Sequence, residues 1–315
     1  MVLDPQTHIV ALAGGVGGAK LAYGLSKLVP PGQLTIIGNV ADDLTLYGLH
    51  ISPDLDTVMY TLAEVANPAT GWGLAGDSWQ MLDMLGRYGQ DTWFGLGDRD
   101  LATHVLRTSW LAQGVTLTEI TRRLMSALGV THRLLPVTDD PLATMIDTEE
   151  HGRLGFQEYF VRYRWQPPVR RVWFQGVEQA RITAEAAEAL RAANMIVFCP
   201  SNPVLSIEPI LAVPGVRDLI TNRRGPCVAV SPFVGGKAVK GPASKLMNEL
   251  GLDISPNGLA TYYAGLLDGL VIDRSDSGPA LADSVSWLET HTLMQSDDDK
   301  VHLAEEVLEW VGSLS

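Results

Sequence analysis

The sequence predicts an α/β fold: a doubly wound, mostly parallel sheet interrupted by an inserted α/β subdomain. Three features point there. The chain opens as strand, glycine turn, helix and strand, the order of a right-handed parallel crossover. Its character changes near Thr131 to alternating and β-branched stretches. Helix–strand alternation then resumes and runs to the C-terminus. The 315 residues thus divide into an N-terminal part of the core (1–130), an antiparallel insert (131–175) and a C-terminal part of the core (176–315). A chain of this length buries most of its unfolded surface, so neither disulfides nor a structural metal are needed.

Each element follows from its pattern. His8–Ala13 (HIVALA) is a continuous apolar run, as in a strand covered on both faces. Four glycines fall within the five positions 14–18, and Lys20–Leu28 then carries apolar residues at helical spacing. Leu34–Val40 is a second buried strand. Helices are expected at Leu55–Val65, Ser78–Tyr88, Leu101–Gln113 and Leu117–Leu128. In the insert, Arg133–Val137, Ala143–Asp147 and Phe156–Tyr163 read as strands, with EEHGR as a turn between the last two. After it come a helix at Ile182–Ala193, strands at Met195–Cys199 and Cys227–Ser231, a helix at Ala243–Leu250, and a late strand at Leu270–Ile272. Lys300–Leu314 closes the chain as an amphipathic helix. Its Leu303, Val307, Leu308, Trp310 and Val311 suit either core or an interface.

With 23 basic against 36 acidic residues the net charge is −13. Such a field repels nucleic acid and anionic membranes, so neither is an expected partner. It also repels phosphorylated substrates. A phosphate site here must supply its own positive potential from backbone amides, a few Lys/Arg or a divalent cation. No apolar run reaches the roughly 18 residues of a membrane span. MVLDPQTHIV lacks a basic n-region and a cleavage site, so no signal peptide is expected. Cys199 and Cys227 lie in apolar runs, which suits reduced core thiols and a cytoplasmic location.

The stretch ALAGGVGGAK fails both standard phosphate-loop patterns. The P-loop needs Gly-Lys-Ser/Thr, and here Ala19-Lys20-Leu21 stands instead. The dinucleotide pattern starting at Gly15-x-Gly17 finds Lys20 where its third glycine belongs, and the second strand closes as Asn39-Val40 without an acid, which argues against a nicotinamide-dependent oxidoreductase. The physical logic survives both failures. Glycines admit an anion close to the backbone, and a following helix N-terminus aims amides and a positive dipole at it.

Asp42, Asp43, Asp54 and Asp56 follow the second strand within fifteen residues. Loops after strand ends face the crevice of an open α/β sheet. Clustered carboxylates repel one another unless protonated, spread apart or neutralised, and magnesium takes such oxygens together with substrate phosphates. Ser52-Pro53-Asp54 reads as a helix start with Ser52 as cap, so Asp54 is expected to be structural, while Asp43 and Asp56 are the functional candidates. Arg99, within GDRD, either clamps a phosphate or pairs with a neighbouring aspartate. Ser201 and Asn202 end a buried strand, where a ligand would sit. Gly235 and Gly236 beside Lys237 and Lys240 form a second basic, glycine-rich loop. His50 lacks a ligand-spaced partner and reads as structural. No Gly-x-Ser-x-Gly elbow or Cys-x-x-Cys pair supports covalent catalysis or structural zinc.

In order along the chain stand GGVGGAK, NVADD, ISPDLDTVMYTLA, GLGDRDLATH, FQEYFVRY, PSNPVLSIEPIL, AVSPFVGGKAVKGPASKLM and GLLDGLVID. Over nearly its whole length the chain resembles the 2-phospho-L-lactate transferase family of deazaflavin coenzyme (F420) biosynthesis. The resemblance implies a Rossmann-like core with an inserted subdomain, usually dimeric. It implies transfer of a phospholactyl or phosphoenolpyruvyl phosphate from a GDP-linked donor, itself made by a guanylyltransferase, to a hydroxyl of the deazaflavin precursor Fo, with release of GMP. In that reading Gly15, Gly17, Gly18 and Lys20 hold the donor phosphates. Asp43 and Asp56 ligate Mg2+ with Asp42 as auxiliary, and Asp56 also meets the acceptor hydroxyl. Gly95 and Arg99 line the Fo site, while Ser201, Asn202, Ser231 and Gly236 shape the guanosine or diphosphate pocket. The alternative is a nucleotide-sugar-binding regulator of the related glycine-loop morphogenesis-factor family. That group shares the ADD after the second strand, but SPDLDT and GDRDLATH are not expected there.

Overall fold

The computed structural model describes residues 4, 6–239, 241–276 and 285–314. The chain begins with β1 (Ile9–Ala13), α1 (Gly15–Leu28) and β2 (Leu34–Gly38), then a small hairpin of β3 (Leu44–Leu46) and β4 (Leu49–Ile51). Four helices follow: α2 (Pro53–Leu62), α3 (Gln80–Arg87), α4 (Asp100–Ala112) and α5 (Leu117–Ala127). Next come β5 (Arg133–Pro136), β6 (Ala143–Thr148), β7 (Gly152–Gly155) and β8 (Val169–Gln175). The second half contains α6 (Ala184–Ala192), β9 (Met195–Phe198), α7 (Glu208–Ala212), α8 (Val216–Thr221), β10 (Cys227–Val230), the two-residue strands β11 (Phe233–Val234) and β12 (Lys237–Ala238), α9 (Ala243–Glu249), α10 (Pro256–Tyr262), β13 (Gly269–Asp273), β14 (Ser286–Thr290) and α11 (Asp297–Ser313).

Seven strands make one parallel sheet in the order β14-β13-β10-β9-β1-β2-β5. Every residue of β1, β2, β9, β10 and β13 is buried, as their unbroken apolar runs require of strands covered on both faces. From β1 the chain winds outward through β2 to β5, then returns to the other side of β1 and winds outward again through β9. The strand order therefore reverses between β1 and β9, and the crevice beyond their carboxyl ends is the place for a ligand. Both free cysteines are buried in this core, as their apolar contexts led one to expect.

The structure corrects the element reading at three places. α1 starts at Gly15, not Lys20, so the glycines form its first turn instead of a loop ahead of it. Arg133–Val137, expected in the insert, pairs with β2 and forms the edge of the central sheet. Phe156–Tyr163 is no strand: it turns into a single wide helical turn over Glu158–Arg162, and the partner of β6 on that side is Gly152–Gly155. The antiparallel piece is thus β7-β6-β8. The hairpin β3–β4, the edge strand β14 and the short helices α7, α8 and α10 carried no periodic signal long enough to be read.

The C-terminal helix settles as core. Leu303, Val307, Leu308 and Val311 are buried, and Gly24 of α1 lets α11 approach until a Cβ there would lie 2.0 Å from the Lys300 carbonyl. Trp310 covers Gly269 at the start of β13.

Candidate active site

A cleft of about 420 Å³ opens at the switch point. Its polar end is built by the segments after β1 and β9. Ser201 Oγ donates to the Gly14 carbonyl (2.9 Å) and accepts from the Gly14 amide (3.2 Å). A Cβ at Gly17 would stand 2.2 Å from the Pro200 carbonyl, and one at Gly18 2.4 Å from Ser201 Oγ. Gly17 and Gly18 are therefore required by the close packing of two loops. Gly15 has φ +61°, a left-handed value that favours glycine, and its amide donates to Asp54 Oδ1 at 2.8 Å. The first turn of α1 leaves its following amides without partners inside the helix, and Gly15, Val16 and Gly17 line the cleft.

Asp54 is not the simple helix-start residue its position suggested. It is buried, accepts from Asn39 Nδ2 (3.0 Å) as well as Gly15, and fills the space a side chain at Gly14 would need. Ser52 does not cap α2 with its side chain, correcting that expectation. Its hydroxyl donates to Asp43 Oδ2 (2.7 Å), beside His50 Nε2 at 3.0 Å. The hairpin β3–β4 brings His50 to Asp43, a pairing that spacing could not reveal.

Asp42 is buried at the cleft wall. Burial and then the charge of Asp54 push its carboxyl well above the usual carboxylate range. Burial also raises Asp43, and raises Asp54 to about 6. Asp42 Oδ1 and Asp43 Oδ1 are buried acceptors with no donor among the described residues. Crowded carboxylates with unfilled lone pairs fit a hard divalent cation.

Asp56 and Tyr60 lie one turn apart on α2. Asp100, His104 and Arg107 follow one another along one face of α4. All five are buried. Arg107 grips both oxygens of Asp56, with Nη1 at 3.0 Å from Oδ2 and Nη2 bonded to Oδ1. Nη1 also stands 3.3 Å from His104 Nδ1. His104 Nε2 lies 3.3 Å from Asp100 Oδ2 but is too poorly aligned to form a hydrogen bond, while the Tyr60 hydroxyl donates to Asp100 Oδ1 at 2.6 Å. Burial works against the Asp100 charge, yet His104, Tyr60 and Arg107 together hold its pKa below the usual value. Arg107 is the residue sequence reading missed. Its signal was there: three polar residues at i, i+4 and i+7 of one helix, with an aspartate first.

The cleft also has an aromatic lining. Trp72, Phe94, Phe156 and Phe160 contribute to it, the last two stacked with centroids 5.2 Å apart. Gly95 sits here, where a Cβ would touch Trp72 at 3.2 Å.

Of the residues named from sequence, Gly15, Gly17, Lys20, Asp42, Asp56, Gly95, Ser201, Asn202 and Ser231 line this one cleft. Lys20 reaches the Met294 carbonyl (2.6 Å), and Asn202 Oδ1 accepts from the amides of Val204 and Leu205, shaping the turn. Gly18, Asp43, Arg99 and Gly236 do not line it. Arg99 is exposed and its side chain donates to the Ala75 carbonyl at 2.9 Å, and the exposed Gly236 amide donates to Asp276 at 2.5 Å. Lys237 is exposed, and Lys240 lies outside the described residues. Asp98 of the same GDRD stretch accepts from Ser78, Gln80 and Met81, while Asp77 accepts from the amides of Arg99 and Asp100. The motif thus ties α3 to α4.

The chain is similar to known proteins along nearly its whole length. The family described as 2-phospho-L-lactate transferase CofD matches residues 9–310. A phosphoenolpyruvate transferase of Streptomyces griseus is 43% identical over 276 residues, covering 86% of this chain and 87% of its own. A 2-phospho-L-lactate transferase of Methanosarcina mazei is 38% identical over 306 residues, covering 96% and 99%. A solved UPF0052-family protein of Bacillus halodurans shares the fold at TM-score 0.64 and 17% identity, over 96% of this chain and 99% of that one. Among the described residues no helix is long and apolar enough to cross a membrane. The chain is an α/β transferase and belongs to the 2-phospho-L-lactate transferase CofD family.

Proposed function

We propose that this protein transfers a phospholactyl or phosphoenolpyruvyl phosphate from a GDP-linked donor to a hydroxyl of Fo, releasing GMP. The observation that carries the reading is one cleft with two chemistries in its lining. Its helix amides and carboxylates suit a diphosphate with its cation. Its four aromatic rings suit a planar fused ring. The relatives' names supply both candidate acids.

In this reading the amides at the start of α1 seat the donor diphosphate, with Lys20 beside them. Asp42, in the cleft wall, would hold Mg2+ through its donor-free oxygen, with the donor-free oxygen of Asp43 next to it in the chain. When bound, the cation supplies charge neutralisation at the diphosphate that an acidic chain lacks. Asp56 lines the same cleft. Arg107 uses one lone pair on each of its oxygens, and the others remain to orient the acceptor hydroxyl. That oxygen attacks the phosphorus bearing the organic acid in line. A new P–O bond forms, the bond to GMP breaks, and the hydroxyl proton leaves toward the carboxylate. Positioning and charge complementarity are the protein's main contribution.

The test is to incubate the protein with Fo, MgCl2, GTP, a guanylyltransferase and each acid in turn, and to identify products by mass. A deazaflavin phosphodiester and stoichiometric GMP are expected. No product with any acid, from protein that also leaves Fo fluorescence unchanged on mixing, overturns the reading.

A further inference from the structure

We infer that Arg107 is the positioning residue of this site, acting on the reaction through Asp56. The inference rests on the reading of Asp56 as the group that meets the acceptor hydroxyl. Arg107 is 1% exposed and is the bulkiest fully buried side chain among the described residues. Its Nε has no hydrogen-bond partner there, so the fork of Nη1 and Nη2 on Asp56 is its main polar engagement. A buried guanidinium without substrate contact is costly to keep in a core and calls for an account.

The geometry supplies one. Asp56 stands among other carboxyl groups: Asp100 faces the same histidine, and Asp42 and Asp54 share the cleft wall. Left alone, a carboxylate there could swing toward solvent or a cation. A planar fork contacting both oxygens prevents that, because it fixes the carboxylate plane. His104, whose Nδ1 lies 3.8 Å from Asp56 Oδ2 and 3.3 Å from Arg107 Nη1, closes the remaining side. Lysine offers the same charge as a single point and cannot define that plane. Arg107 therefore sets which way Asp56 presents its free lone pairs, without itself lining the cleft.

The test is a cycle of Arg107→Met, Arg107→Lys, Asp56→Asn and the double variant Arg107→Met/Asp56→Asn, read by thermal unfolding and by kcat and KM for both substrates. Arg107→Lys should keep a midpoint near wild type, lose at least tenfold in kcat and leave both KM values within twofold. Arg107→Met should unfold at lower temperature than the double variant, since only the single change leaves a buried charge alone. The kcat losses of Arg107→Met and Asp56→Asn should not multiply in the double variant. Wild-type kcat in Arg107→Lys, or multiplicative losses in the double variant, overturns the inference. A wild type that turns over none of the acids overturns the underlying reading instead, on a measurement separate from the variants.

Discussion

Side chains at the switch point are chosen as much for what they exclude as for what they contact. Gly17 is set by the Pro200 carbonyl, 2.2 Å from where its Cβ would be. Gly17→Ala should therefore destabilise the fold by about 2 kcal/mol through forced separation of the two loops, and also weaken donor binding. A chemical-denaturation midpoint equal to wild type would count against this packing role. His132 offers a test of pH dependence away from the site. It is half-buried, its Nε2 faces the Ser26 carbonyl at 3.0 Å, and its Nδ1 has no partner among the described residues. Burial lowers its pKa below the usual histidine value. The unfolded chain then binds the proton more readily, so the histidine's contribution is intact above about pH 6.5 and fades as pH falls below it. His132→Gln should flatten the loss of melting temperature between pH 7 and pH 5, and an unchanged slope would contradict it.

Elements reach their places through a few close approaches. α11 lies on α1 because Gly24 leaves room for the Lys300 carbonyl, with Ala304 beside it. Gly24→Ala should cost about 1–3 kcal/mol by pushing the helices apart, visible as a lower urea midpoint with an unchanged slope. Cys199, just after β9, and Cys227, the first residue of β10, are both buried. Burial pushes both far above the usual thiol range, so neither should react with a disulfide reagent at pH 8 until the protein is unfolded. Rapid labelling of native protein would place a thiol at the surface. The long elements were legible because their periodicity is their burial: the apolar runs of β1, β2, β9 and β10 read directly as strands. β5 was misplaced because a short apolar strand carries no label saying which sheet it joins. Phe156–Tyr163 misled because its aromatics, natural in a strand, instead serve the cleft as Phe156 and Phe160 on one helical turn.

The whole molecule carries a net charge of −13 against the anionic donor proposed for it. Like charges slow encounter, and salt screens them. Raising ionic strength from about 20 to about 200 mM at fixed free Mg2+ should speed donor association, the reverse of the usual response for a basic phosphate-binding protein. Stopped-flow association that slows with salt would show a local field strong enough to override the global one. The topology explains how the acidic chain concentrates amides where they are needed. Reversal of strand order between β1 and β9 places two loop ends and the start of α1 around one crevice.

By itself the sequence determined the parallel core, the glycine-rich turn after its first strand and the acidic stretch beside it, because buried strands, tight turns and charge density are written locally in residue type. Only the tertiary structure decided which aspartate does what. Asp54 turned to the glycines, Asp43 to His50 and Ser52, and Asp56 to Arg107, fifty-one residues away. A carboxylate's role is set by the donors that reach it through space, and no local pattern records where a distant helix will bring its arginine.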